Sequence, residues 1–240
     1  MNLKRGAAAC EAYSPSTSAV KKDVESLIKG IAHSLFSDQR RLPFSDEPTA
    51  LWDTVRLAEI STIVARKNDH MKNYPVMMIS AEKGFINQKE RYENDNARSS
   101  LDKYTLLYRN EMAYNRGSSK LKKYGSIFCL QEDSALVPYV YHSFAMNTSI
   151  CNPVFYGFYL NSKTLDKYLL RIISSTARED GLLNVSKEDF FNLKVMCPPK
   201  NEQDQIANFI TQYRERLQVE KNMLALFQTQ RSYLLRLMFI

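Results

Sequence analysis

The sequence predicts an α+β fold, with one mixed α/β globular domain over residues 49–200 and long α-helices forming an antiparallel coiled-coil spacer. Three observations carry that expectation. A helical apolar face occupies the region before residue 37, short apolar and aromatic bursts fill the middle, and a heptad pattern runs to the C-terminus.

Residues 1–19 read as a flexible leader, because Ser14, Pro15, Ser16, Thr17 and Ser18 follow an alanine run that Cys10 and Glu11 interrupt before it can serve as a secretory signal. Residues 20–48 are expected to be an N-terminal spacer helix and a linker. Val20, Val24, Leu27, Ile31 and Leu35 recur at steps of three and four, and DQRRLPFSDEP at 38–48 then breaks the pattern with two prolines. Trp52, Val55, Leu57 and Ile60 open the domain. YPVMMIS at 74–80, KYTLLYR at 103–109, GSIFCL at 125–130 and NPVFYGFYL at 152–160 are rich in residues that favour strands. Leu165–Ser174 and Ser186–Phe191 are expected to be helical, the second with Ser186 as N-cap.

Pro198-Pro199 ends the domain, and residues 201–240 form a long C-terminal spacer helix. Ile206, Tyr213, Phe227 and Leu234 share one heptad position, and Ile210, Leu217 and Leu224 share another. Glu220 and Arg231 interrupt this seam, as polar residues that set register do. These seven apolar residues are the candidate surface for a partner helix. KGIAHSLF at 29–36 echoes SYLLRLMF at 232–239, so two helix ends with related sequence flank the domain.

The formal net charge is +7, and it is not spread evenly. Residues 61–125 hold thirteen Lys/Arg against seven Asp/Glu, whereas residues 1–60 balance and residues 126–240 carry only one excess positive charge. A localised basic block suits a surface that meets phosphate. Within it, the candidate DNA-binding loop comprises Tyr114, Asn115, Arg116, Ser118, Ser119, Lys120, Lys122, Lys123 and Tyr124. Lysines and hydroxyls suit phosphate oxygens, while a guanidinium can grip guanine and an amide adenine, which makes Arg116 and Asn115 the candidate base readers. Gly117 lies between two parts of this loop. Arg66 with Lys67, and Arg91 with Asn94 and Asn96, form two further polar clusters.

Four cysteines at 10, 129, 151 and 197 and three lone histidines at 33, 70 and 142 have no metal or redox spacing, so neither metal nor cofactor is expected. No apolar run approaches the roughly 18 residues that a membrane span needs. A reducing cytoplasm is the expected setting.

Three stretches resemble the specificity subunits of type I restriction–modification enzymes. IKGIAHSLFSDQRRLPF at 28–44, followed by Trp52 and LAEI at 57–60, looks like the end of a central spacer leading into a recognition domain. YRNEMAYNRGSSKLKKYGSIFCL at 108–130 and VPYVYHSF at 137–144 look like the middle of such a domain, and GLLNVSKEDFFNLKVMCPPKNEQDQIANFI at 181–210 looks like the exit into the distal spacer. The resemblance implies a non-catalytic DNA-recognition subunit, in a half-length form with one target-recognition domain. Its implied partners are double-stranded DNA, methyltransferase subunits docked on the helices and, through them, a restriction subunit. Two copies joined by their helices would form a homodimer and read a symmetric, bipartite target. The alternative is a coiled-coil adaptor whose globular domain binds protein; it accounts for the heptads but leaves the clustered charge unused. Asn152-Pro153-Val154-Phe155 is similar to the Asn-Pro-Pro-aromatic motif of adenine methyltransferases, yet the glycine-rich loop that such an enzyme needs is missing. It is expected to be a strand start.

Overall fold

The computed structural model describes residues 52–69, 72–88, 98–173 and 182–238, together with Gly30 and Phe36. The leader, most of the N-terminal spacer helix, the linker at 38–48 and the cluster around Arg91, Asn94 and Asn96 lie outside the described residues.

The domain begins and ends on one strand pair. β1 (Asp53–Arg56) runs antiparallel to β10 (Lys194–Cys197), with Asp53 opposite Cys197 and Arg56 opposite Lys194. A single turn of helix, α1 (Leu57–Ile60), leads from β1 into β2 (Ser61–Ile63). A four-stranded antiparallel sheet follows the order β2-β9-β6-β7, where β6 is Met112–Asn115, β7 is Ser126–Cys129 and β9 is His142–Met146. The hairpin β3 (Met77–Ser80) with β4 (Gly84–Asn87), and the pair β5 (Thr105–Tyr108) with β8 (Ser134–Val137), complete the β structure.

β6 is buried on both faces, which is why MAYN carries no polar alternation. Met112 and Tyr114 face the larger core beside Ile127, Phe144 and Phe190, while Ala113 faces a second core of Leu107, Val137 and Ile79. On the larger core lie α2 (Pro153–Leu160), α3 (Asp166–Ile172) and α4 (Lys187–Phe191). Ser186 caps α4 as expected, its hydroxyl accepting a bond from the Asp189 amide at 3.0 Å.

The stretch at 152–160 is a helix, not the strand that its aromatic content suggested. Asn152 is an N-cap, with its Oδ1 accepting from the amides of Val154 and Phe155 at 2.9 and 3.2 Å, and Pro153 occupies the first turn. Phe155, Tyr156, Phe158, Tyr159 and Leu160 are all buried, so the helix has no polar face to announce its period. A Cβ at Gly157 would stand 2.7 Å from that of Cys129, so only glycine lets α2 lie this close to β7. Phe36 is buried among Trp52, Phe155, Phe158 and Tyr159, at ring separations of 5.0–6.3 Å.

α5 (Lys200–Met238) contains 39 residues and spans about 58 Å at 1.5 Å per residue. Its root is held in the domain. Ile206, Ala207 and Ile210 belong to the larger core, so Ile206 and Ile210 face the chain's own domain and not a partner helix. Tyr213 and Leu224 are half-buried and Leu217 is buried, while Phe227 and Leu234 stand exposed with Leu226, Leu237 and Met238. The heptad positions continue inward past the point where the helix leaves the domain, and the second and third turns use them for docking.

Gln203 fixes this root. It is fully buried, donates to the carbonyls of Ile150 and Pro198 at 3.0 and 2.7 Å, and accepts from the Asn152 amide at 2.8 Å. Truncation as Gln203→Ala strands these buried groups, each costing about 1–3 kcal/mol, and is expected to lower unfolding stability by about 3 kcal/mol. Urea denaturation checks this; a loss below about 1 kcal/mol would mean that water takes over the three bonds.

Candidate nucleic-acid interface

Strand registers gather one set of loops at one end of the sheets. Asn115 at the end of β6 lies opposite Ser126 at the start of β7, and Tyr114 lies opposite His142 at the start of β9. β2 ends alongside β9, with the Val64 amide bonding the Ser143 carbonyl at 2.9 Å. Lys67 then bridges Thr105 at the start of β5, whose partner Val137 ends β8. The β6–β7 loop at 116–125, the turn at 138–141 and the segment after β2 therefore share this end. Exposed Lys67, Lys103, Lys120 and Lys123 stand there, with Asp69 and Asp102 on the same segments, and exposed Lys187 stands beside the exposed acids Glu188 and Asp189. The opposite end carries Glu111, Glu132 and Asp133, and there Arg109 pairs with Asp133 at 2.7 Å.

Inside the basic end, the candidate residues divide by role. Tyr114 is a core residue: it is fully buried, stacks on Phe190 at 4.7 Å and donates its hydroxyl to the Tyr124 carbonyl at 2.8 Å. It has no exposed face to offer a ligand. Asn115 donates to the Ile79 carbonyl at 3.2 Å and accepts from the Gly117 amide at 2.9 Å, which locks the turn rather than loosening it. Arg116 is half-buried. Its Nε donates to the Val140 carbonyl at 3.3 Å, and its Nη1 lies 3.5 Å from the Val185 carbonyl. Its guanidinium is directed at backbone and is not poised as a free base reader.

The rest of the loop is organised by hydroxyls. Ser118 donates to the Lys123 carbonyl at 3.0 Å, and Ser119 accepts from the Lys122 amide at 3.0 Å. Lys122 turns back to the Asn161 carbonyl, whereas Lys120 and Lys123 project outward, the latter 5.6 Å from the centre of the Tyr124 ring. Gly125, at φ 84°, closes the loop; a Cβ there would meet Tyr114 Cε2 at 2.5 Å. Arg66 is engaged elsewhere, since its guanidinium contacts the Glu111 carboxylate and lies 4.6 Å above Tyr108. Lys67 stays exposed at the basic end. Arg91 lies outside the described residues.

Two features of this end were missed in the sequence. The segment at 182–185 is tied to the β6–β7 loop, because the Leu183 amide bonds the Arg116 carbonyl at 2.9 Å and Leu182 bridges Gly117. The turn at 138–141 closes on its own bond from the Tyr141 amide to Pro138 at 3.1 Å, and exposes Tyr139. A proline between two strand-like runs was the only local signal for that turn.

Among the described residues, no group of three or more His, Cys, Asp or Glu is placed to hold a metal ion. Burial pushes the thiol of Cys129 up to about 12 and that of Cys151 up to about 11, so both stay protonated at neutral pH. No described helix is long and apolar enough to cross a membrane.

A mixed α+β head with a group of exposed lysines on the loops at one end, rooted on a long helix, is a build that suits binding a polyanion. The family model for the type I restriction modification DNA specificity domain matches residues 50–226, and the chain belongs to that family. The crystal structure of a type I restriction-modification system S subunit from M. genitalium shares the fold, with a TM-score of 0.53 at 15% identity over 91% of this chain and 55% of that one. The HsdS subunit from Thermoanaerobacter tengcongensis matches with a TM-score of 0.49 at 16% identity, over 86% of this chain and 47% of its own. The chain thus spans about half the length of these solved relatives. No curated protein matches the sequence.

His142 underlies the basic end and gives it a pH limit. It is buried, and its Nε2 donates to the Val185 carbonyl at 3.1 Å while Nδ1 has no partner. Burial pushes its pKa down to about 4 against the pull of the Val185 bond, and Arg116 and Lys187 push the same way as burial. The unfolded chain protonates near pH 6.5, so stability is complete above that pH and falls as the pH drops toward 4, by at most about 3 kcal/mol. Unfolding measured between pH 7.5 and 4.5 should show this slope, and His142→Gln should flatten it; an unchanged slope would assign the effect to other groups.

Proposed function

We propose that this chain is the DNA-recognition subunit of a type I restriction–modification assembly, reading one half of a bipartite duplex target. The observation that supports it best is that strand register gathers exposed Lys67, Lys103, Lys120 and Lys123, on separate loops, at one end of the sheets. Lys67, Lys103, Lys120 and Lys123 would contact phosphates and position the domain. The chain would supply no chemistry of its own. Methyltransferase subunits would dock on its helices and bring a restriction subunit with them, in the cytoplasm.

One reading domain specifies one half-site. Two copies joined through the outer part of α5, where Leu226, Phe227 and Leu234 are exposed, would hold two domains about a two-fold axis, with helix length setting the half-site spacing. An antiparallel pairing of α5 with the N-terminal spacer helix belongs to the same proposal. Phe227→Asp is then expected to shift the protein from dimer to monomer in sedimentation velocity, whereas an unchanged mass would place the self-association elsewhere.

Phosphate contacts give the first test. Affinity for duplex DNA should fall steeply as salt rises, and Lys120→Ala and Lys123→Ala should each reduce the log–log slope by about one, equally for all sequences. Fluorescence anisotropy across a salt series measures this. A flat salt dependence would favour a protein-binding adaptor instead.

A further inference from the structure

The turn at 138–141 is held from three directions. Arg116 donates to the Val140 carbonyl at 3.3 Å, and the Tyr141 hydroxyl accepts from the Ile79 amide of β3 at 3.3 Å. His142, directly after the turn, is anchored to Val185. Pro138 restricts the backbone at the start of the turn. From this clamped platform one large side chain projects: Tyr139 is 61% exposed, while Val140 packs against the second core and Tyr141 is buried. The exposed lysines of this end sit on other loops, so the turn itself is an uncharged projection.

We propose that Tyr139 is a base-reading side chain of this domain, and that Arg116 is a positioning residue that holds its turn. The proposal rests on the DNA-reading function and adds to it which side chains discriminate. A side chain that specifies must be presented in one geometry, because a base edge rewards a hydrogen bond only at the right place. Lysines on flexible stems give charge without that geometry. A phenol has two side-chain torsions and one hydroxyl that donates and accepts, so a fixed turn presents it at little entropic cost. Arg116, with its guanidinium turned to the carbonyls of Val140 and Val185, acts on DNA through the turn that it supports.

The test is selection from a pool of duplexes with a randomised centre by the full chain, followed by affinity measurements on the selected duplex and a scrambled one. The wild type should enrich a half-site. Tyr139→Ala and Tyr139→Phe should each lower discrimination between selected and scrambled duplex by about 10- to 100-fold, with the loss confined to one or two adjacent base positions. Affinity for scrambled duplex should stay within roughly twofold, since the phosphate contacts are intact. Arg116→Ala should lose the same positions, and in the double variant with Tyr139→Ala no further discrimination should be lost.

If the wild type enriches no sequence, the DNA-reading function itself fails, and this proposal with it. If the wild type enriches a half-site that both Tyr139 variants retain, Tyr139 is not a reader and only this proposal falls. Additive losses in the double variant would make Arg116 an independent DNA contact and overturn its positioning role. Should Arg116→Ala unfold, Arg116→Lys takes its place in the cycle, and the exposed Tyr139 decides the reader assignment by itself.

Discussion

The antiparallel register of β1 against β10 is the constraint on which the rest of the molecule hangs. It pairs Asp53 with Cys197 and so turns everything between them into one closed excursion from the spacer. The closure continues past the strands: Trp52 donates to Glu202 at 3.0 Å across 150 residues, and buried Gln203 joins the root of α5 to the cap of α2. Asn152 and, next, Lys200 donate to Asp204, and these bonds hold its carboxyl below the usual range. The long helix therefore leaves the domain at a fixed place, and a movement of α5 cannot occur without disturbing the core beneath it.

A second layer of constraint orders the basic end. Three pieces of chain far apart in sequence, at 115–125, 138–141 and 182–185, meet around Arg116 and His142. Their mutual bonds go largely to backbone carbonyls, and the aromatic stack of Tyr114 on Phe190 fills the space beneath. Such an arrangement is stiff because each loop is held by its neighbours as well as by bonds within its own turn. Stiffness of this kind suits recognition, where loops that must order on contact would lose affinity to entropy.

Much of the plan was legible in the residues. The basic block at 61–125, the strands at 77–80, 105–108 and 126–129, the cap at Ser186 and the uninterrupted helix after Pro199 all left local marks. The aromatic helix at 153–160 did not, because burial on every side removes the polar face that makes a helix visible, and Tyr, Phe and Val favour strands when nothing else is known. Asn152-Pro153 was a cap signal that the aromatic content outweighed. Within the candidate loop, charge and hydroxyl content pointed to the right end of the molecule but not to the roles: Tyr114 became core, Arg116 became a strut, and Tyr139 was passed over because it sits outside the basic block.

By itself the sequence determined the class of fold, the length of the helical stalk, the location of the positive charge and the family resemblance, since caps, periods and charge are properties of neighbouring residues. Only the tertiary structure decided which heptad positions dock on the domain and which are left for a partner. It alone also decided which cations face outward, and that Arg116 is directed at Val140 and Val185. The physical reason is that a backbone carbonyl is the same acceptor at every residue. A side chain's choice among such acceptors is set by the distances that folding creates, and nothing in the identity of the partner residue records it.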